Sequence, residues 1–336
     1  MLFMVTNRRI KDGVYGDEER LNKKYEYQYA YDKQKRGSDK FTKTGKKGFE
    51  KSLLLELARL KKKHNTTPKV GIYLHGYNND YQDSIDEIFD LEKNLKNLYG
   101  YAPVIVGFSW PSSGKTLNYL SDREEVRDSV GAFTRFLCDI NTLSTKNEQD
   151  CFSTSFCIAH SMGNYLLRKG MEYLSDTLGT PQGRMLFDET VLLAPDLSSA
   201  DIESDGKGRY IADFSRRVHV YYSKYDRALK ASSAKRFGGN RLGRHGANNY
   251  ENLPGNVVLI DAKKYANSDA IAGCKDREKQ QVSVHSSHRY QKKILADVVE
   301  VISSVDRDQI PNREPVLFDG AIKNNHYRLS ADPSEG

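Results

Sequence analysis

The chain has 336 residues, 38 % of them apolar and 10 % aromatic, with a formal charge of +7, which suits one large core with decorations. No run of about 18 apolar residues occurs, which excludes a transmembrane helix, and Met1–Arg9 lacks the basic and apolar regions of a secretory signal. The four cysteines, Cys138, Cys151, Cys157 and Cys274, show no C-x-x-C spacing. They argue against a disulfide scaffold or a zinc site and for a reduced, cytoplasmic setting.

Charge is uneven. Residues 1–69 hold 19 of the 52 Lys and Arg against 9 of the 45 Asp and Glu. Such a segment could attract nucleic acid or an anionic surface. Acids are interspersed, however, and no nucleic-acid-binding motif accompanies them, so a solvated, lysine-rich face is the better reading.

In chain order, Leu2–Thr6 alternates and predicts an opening strand. The tyrosine- and lysine-rich stretch up to Gly48 reads as irregular structure or short strands. Phe49, Leu53, Leu57 and Leu60 recur at helical spacing, and Lys61, Lys62 and Lys63 suit the C-terminal end of that helix. From Lys69 the pattern becomes regular. Val70–Leu74, Val104–Phe108, Phe152–Ile158, Thr190–Leu193, Val218–Tyr222 and Val257–Ile260 are apolar runs of strand type. Between them lie helix-period segments marked by Ile85, Ile88 and Leu95, by Val126, Phe133 and Leu137, and by Met162–Leu174. Ser121–Glu124 has the form of a capping box opening the second of these helices. Ile294, Leu295, Val298 and Ile302 mark a final helix that starts near Ser287. Alternating strands and helices predict an α/β fold with a mostly parallel central sheet and helices on both faces. The expected organisation is a basic extension over 1–69 packed on the core, a core over 70–305 and a polar tail over 306–336.

Ala159-His160-Ser161-Met162-Gly163 follows an apolar strand and precedes a helix-period segment. This is the pattern of a nucleophile elbow, with Ala in place of the first Gly of G-x-S-x-G. The turn needs small residues two before and two after the serine because strand and helix approach closely there. Ser161 would then be a nucleophile at a helix N-terminus, where backbone N–H groups favour developing negative charge. His75-Gly76-Tyr77-Asn78 follows the first regular strand, where the backbone N–H of Tyr77 can join that of Met162 in an oxyanion hole; His75 itself reads as structural. A serine needs a base, and the base needs a carboxylate. Asp226, in the turn after Val218–Tyr222, stands in the chain order Ser…Asp…His, with Asp196 as competitor. His285 and His288 both lie between the last strand and the final helix. His285 is preferred because it falls in the loop, and His288 is the alternate base.

Taken together, Thr6-Asn7-Arg8, His75–Asn78, Phe108-Ser109-Trp110-Pro111-Ser112, Ala159–Asn164, Ala194-Pro195-Asp196, Asp226–Leu229 and Arg241-Leu242-Gly243 occur in an order that resembles the uncharacterised bacterial α/β-hydrolases grouped as domain of unknown function 900. The resemblance spans roughly residues 2 to 305. It implies the α/β-hydrolase fold and a Ser161–Asp226–His triad, and it supplies no substrate. The family's His-Ser-Tyr-type motif matches His285-Ser286 by its start and His288-Arg289-Tyr290 by its tyrosine, so both histidines stay open.

The function expected from these residues is that of an esterase- or lipase-like serine hydrolase, cleaving a small-molecule carboxylic ester through an acyl-enzyme, with no metal and no cofactor. Two other classes are weighed against it. One is a catalytically silent binding protein on the same fold. The other is a P-loop-like nucleotide hydrolase, suggested by Gly114-Lys115-Thr116. That motif requires Gly at position 109, where Ser109 stands, followed by Trp110 and Pro111, which suit a phosphate cradle poorly. Acyl group, alcohol group and oligomeric state are not readable.

Overall fold

The computed structural model describes residues 1–11, 14–20, 28–32, 42–100, 103–112, 119–146, 154–179, 185–235, 239–318 and 321–330. The strands are β1 (Leu2–Thr6), β2 (Arg8–Lys11), β3 (Val14–Arg20), β4 (Gln28–Asp32), β5 (Thr42–Thr44), β6 (Val70–Leu74), β7 (Val104–Ser109), β8 (Thr154–His160), β9 (Phe187–Leu193), β10 (Ser215–Tyr222), β11 (Val257–Asp261), β12 (Arg313–Phe318) and β13 (Ala321–Leu329). The helices are α1 (Lys46–His64), α2 (Tyr81–Tyr99), α3 (Tyr119–Lys146), α4 (Gly163–Leu178), α5 (Arg209–Asp213), α6 (Arg227–Lys235), α7 (Leu242–His245) and α8 (Lys292–Ile302).

Strands line up in the order β12-β13-β11-β10-β9-β8-β6-β7-β1-β4-β5. Every pairing from β13 to β1 is parallel, and the antiparallel pairs β12–β13, β1–β4 and β4–β5 finish the two edges. Side chains alternate between two cores, as a pleated sheet covered on both faces requires. Ile72, Leu74, Cys157, Ala159, Val218 and Val220 pack with Phe49 of α1, Phe133 of α3 and Leu166 of α4 on one face. Tyr73, Phe156, Ile158, Tyr221 and Val258 pack with Ile85 and Leu91 of α2 and Ile294 and Val298 of α8 on the other. Strand order turns at β6, which has β7 on one side and β8 on the other. A crevice outside the C-terminal ends of β6 and β8 is where an open parallel sheet offers a site.

The structure departs from the sequence reading at three places. Residues 306–336 are not simply a polar tail, because β12 and β13 extend the sheet beyond β11. His326 and Tyr327 are buried there, with Tyr222 Oη and His326 Nε2 2.9 Å apart. Arg313 at the start of β12 donates to both carboxylate oxygens of Asp297 in α8, at 2.7 and 2.6 Å. The second departure is the capping box at Ser121. Helix α3 already runs from Tyr119, and the Asp122 carboxylate accepts from Ser112 Oγ at 2.6 Å. A capping box does open α2, where Asp80 and Asp83 exchange backbone N–H bonds of 2.7 and 3.1 Å. Third, the final helix starts at Lys292, not near Ser287. Residues Ser287–Arg289 form a separate 3-10 turn, and the Gln291 side chain caps the helix. Gly114–Thr116 and Cys151 lie outside the described residues.

Of the described part of the segment 1–69, strands β1, β4 and β5 belong to the central sheet. Strand β1 lies between β7 and β4, and Phe49 and Leu53 of α1 are buried on one face. Among the described residues no helix is long and apolar enough to cross a membrane, and no group of His, Cys, Asp and Glu is arranged to hold a metal ion.

Candidate active site

Ser161 sits between β8 and α4 with φ +52°, a left-handed conformation that costs a non-glycine residue of order 1–3 kcal/mol. The neighbouring chain over-determines it. The Ser161 N–H donates to Leu193 O at 3.0 Å, and the Ser161 carbonyl accepts from the backbone N–H groups of Asn164 and Asp196 at 3.2 and 3.1 Å. The fully buried Asn164 side chain donates to the carbonyls of Ala159 and Ser161 at 3.1 and 3.0 Å, bracing the turn from inside.

Close approach explains the small residues. A Cβ on Gly163 would lie 2.5 Å from Leu74 O and 2.6 Å from His75 O, so α4 begins almost in contact with the end of β6. A Cβ on Gly76 would lie 3.0 Å from Ser161 Cβ, which brings the loop after β6 alongside the serine. Tyr77 follows in that loop. Met162 precedes the first residue of α4, where helix N–H groups lack intrahelical acceptors.

His75 is committed to this loop. Its Nε2 accepts from Trp110 N–H at 3.1 Å, so Nδ1 carries the proton and donates to Gly76 O at 2.7 Å. Its carbonyl accepts from the Trp110 indole at 3.1 Å, and the two rings stack with centroids 4.9 Å apart. Burial, with the Arg8 charge nearby, lowers its pKa to about 3, so the ring is neutral. Ser109 and Trp110, the residues before the P-loop-like segment, are thus part of the scaffold around β6 and β7.

Asp226 and His285 form a direct pair, Nδ1 to Oδ2 at 2.6 Å, with the carboxylate fully buried. Burial alone would raise the Asp226 pKa, but the charge and hydrogen bond of His285 and the Leu229 N–H bring it below the ordinary carboxylate value. Burial alone would lower His285, and the Asp226 charge and hydrogen bond outweigh it, so the imidazole is a stronger base than an ordinary histidine. Asp226 engages Nδ1, which leaves Nε2 as the second nitrogen of the ring. A cavity of about 350 Å³ beside this imidazole is lined by Arg227, Ala228, Ile271, Val282, Ser283 and His285.

The two alternates lie nearby in different settings. His288 is fully buried in the 3-10 turn, and burial draws its pKa down to about 4. Asp196 accepts from Tyr119 Oη and Ser232 Oγ, both at 2.7 Å, while its N–H holds the Ser161 carbonyl. It is a buried hydrogen-bond hub next to the elbow.

Sequence reasoning passed over His160, the variable residue of the elbow motif. Its Nε2 lies 3.0 Å from the carbonyl oxygen of His285, and the two rings are 4.9 Å apart. A carbonyl only accepts, so Nε2 carries the proton. This link draws the His285 loop to the residue before Ser161. A polar ring directly after the apolar run Phe156–Ala159 was the available signal.

A mostly parallel sheet in this strand order, covered by helices on both faces, defines an α/β-hydrolase fold. Residues 51–289 match the family model described as "Alpha/beta hydrolase of unknown function (DUF900)", and the chain belongs to that family. A curated relative, an uncharacterized protein of Nostoc sp., is 30 % identical over 174 residues. The match covers 44 % of this chain and 43 % of that protein, so the chain aligns with less than half of the relative. Among solved structures, Aspergillus fumigatus lipase B superposes with a TM-score of 0.41 at 12 % identity, over 72 % of this chain and 53 % of that one. A carboxyl esterase from Tuber melanosporum gives a TM-score of 0.27 at 16 % identity, over 59 % and 58 % of the two chains. The fold assignment rests on the family match and the strand order.

Proposed function

We propose that this protein is a serine hydrolase that cleaves a carboxylic ester of a small molecule through an acyl-enzyme. The observation that carries this reading is the 2.6 Å Asp226–His285 pair, tied through His160 to an elbow that holds Ser161 at φ +52°. In the proposed reaction His285 Nε2 takes the proton from Ser161 Oγ as the oxygen attacks the ester carbonyl. Asp226 keeps the imidazole in the tautomer that can do so and stabilises its charged form. The N–H groups of Tyr77 and Met162 receive the oxyanion, the alcohol leaves with the proton from His285, and water then releases the acid by the same steps. The cavity beside His285, lined by Ala228, Ile271 and Val282 together with the polar Arg227 and Ser283, supports a substrate of modest size. A reduced, cytoplasmic setting goes with this reading, in keeping with the free thiols of Cys138, Cys157 and Cys274.

The test is covalent labelling by a fluorophosphonate, with turnover of p-nitrophenyl esters of graded chain length. Wild-type protein should label and turn over, and Ser161→Ala should do neither. Equal, weak labelling of the two proteins would sink the enzymatic reading in favour of a silent binding protein.

A further inference from the structure

We propose that Arg8, Ser112 and Asp122 form a buried clamp that sets the oxyanion loop, which makes them positioning residues for the reaction. The inference rests on the serine-hydrolase reading above and on a set of hydrogen bonds that reading does not use.

The loop leaves the sheet after Leu74 and must reach the start of α2 at Tyr81. Its backbone groups lose their strand partners on the way, and Asn78 lies at φ +62°. Partly buried backbone groups of this kind need other partners. Here they come from three distant parts of the chain. The N–H of Asn79 donates to Ser112 Oγ at 3.2 Å, and its carbonyl accepts from Arg8 Nη2 at 2.9 Å. The N–H of Asn78 points to Asp122 Oδ2 at 3.4 Å, and Ser112 Oγ donates to that same oxygen at 2.6 Å.

Arg8 ties the set together. It is fully buried just beyond β1, and its fork also donates from Nε to Ser109 Oγ at 2.8 Å and from Nη1 to Ser112 O at 3.3 Å. One guanidinium thereby fixes the loop after β6 relative to the end of β7, a task that a single lysine ammonium could not share out in the same plane. Burying a cation is costly unless its donors are well placed, so the site is demanding in geometry. The segment that it holds is the one in which Gly76 abuts Ser161 and Tyr77 offers its N–H. Oxyanion donors act only within a few tenths of an ångström of the right position. The side chains of the clamp stand behind the loop and are assigned no contact with substrate.

The experiment compares Arg8→Gln and Ser112→Ala with Asn7→Ala in the intact chain. Asn7 is a neighbour in the same buried layer whose side chain donates to Ser129 Oγ at 2.8 Å. Three quantities are read: kcat and KM on p-nitrophenyl acetate, Tm, and the inhibition constant of a trifluoromethyl ketone. In the ketone complex Ser161 Oγ bonds to the carbonyl carbon, the serine proton passes to His285, and the carbonyl oxygen becomes the anion in the hole. Arg8→Gln should lower kcat about 100-fold and Ser112→Ala about tenfold, with KM changed by less than about twofold. The ketone should weaken in step with kcat, because it reports the oxyanion and not the ground state. Asn7→Ala should lower Tm and move neither. If Arg8→Gln does not fold, Ser112→Ala decides. A folded Ser112→Ala with wild-type kcat and ketone affinity overturns the clamp, as do losses that merely follow Tm to the level of Asn7→Ala. Wild-type protein that neither labels nor turns over ester overturns the clamp together with the functional reading, whereas an active wild type with an unmoved Ser112→Ala overturns the clamp alone.

Discussion

His160 Nε2 donates to the carbonyl oxygen of His285 across 3.0 Å, joining the residue before the candidate nucleophile to the backbone of the candidate base. Burial keeps the His160 ring neutral far below the ordinary histidine value, so this donor persists through the working pH range. His160→Phe retains a ring and deletes the donor. It should lower kcat by about 10- to 100-fold through misplacement of His285. Because no charge is removed, the acid limb of the kcat/KM profile should stay in place, and a pH series on both proteins checks this.

His285 must be neutral to accept a proton, and its pKa lies above the ordinary 6.5. Activity should therefore fall as pH drops through a midpoint above 6.5. Asp226→Asn removes the charge that raises it while burial still lowers it. The residual limb should move to lower pH, with kcat down by about 10⁴. A profile of kcat/KM against pH for both proteins measures the shift and its sign.

The two candidate bases should separate cleanly in stability and turnover. His285→Ala should lose about 10⁴ or more in kcat. His288→Ala opens a cavity in a packed turn, so it should lower Tm while keeping kcat within about threefold. The reverse pattern would reassign the base.

The Arg313–Asp297 pair tests whether the C-terminal hairpin belongs to the folded unit. Both side chains are almost completely buried, at 1 % and 2 % exposure. Arg313→Ala strands the carboxylate and should cost about 3–5 kcal/mol in urea unfolding. A loss below about 1 kcal/mol would show that β12 contributes little to global stability.

Much of this was readable from local pattern. Val70–Leu74 and Val104–Phe108 are continuous apolar runs because strands covered on both faces have no solvent side. The elbow is legible because its steric demand falls within five consecutive residues. What escaped depends on contacts remote in sequence. Arg8 is legible only as part of the Thr6-Asn7-Arg8 motif, and its partners stay hidden until the fold brings Ser109 and Asn79 to it. The strand β13 carries Asn325 and His326 among its buried positions, so its composition resembles a tail. The choice between His285 and His288 depends on how the 3-10 turn at Ser287–Arg289 presents each ring, and no periodicity encodes that.

The backbone at Ser161 has a consequence for evolution and engineering. A glycine would occupy φ +52° at ease, whereas the serine is held there by its neighbours. Ser161→Gly should thus be inert and yet more heat-resistant than wild type, by a margin on the order of 1 kcal/mol. Selection for thermal robustness alone would tend to erase the hydroxyl, and only selection for its chemistry would retain it.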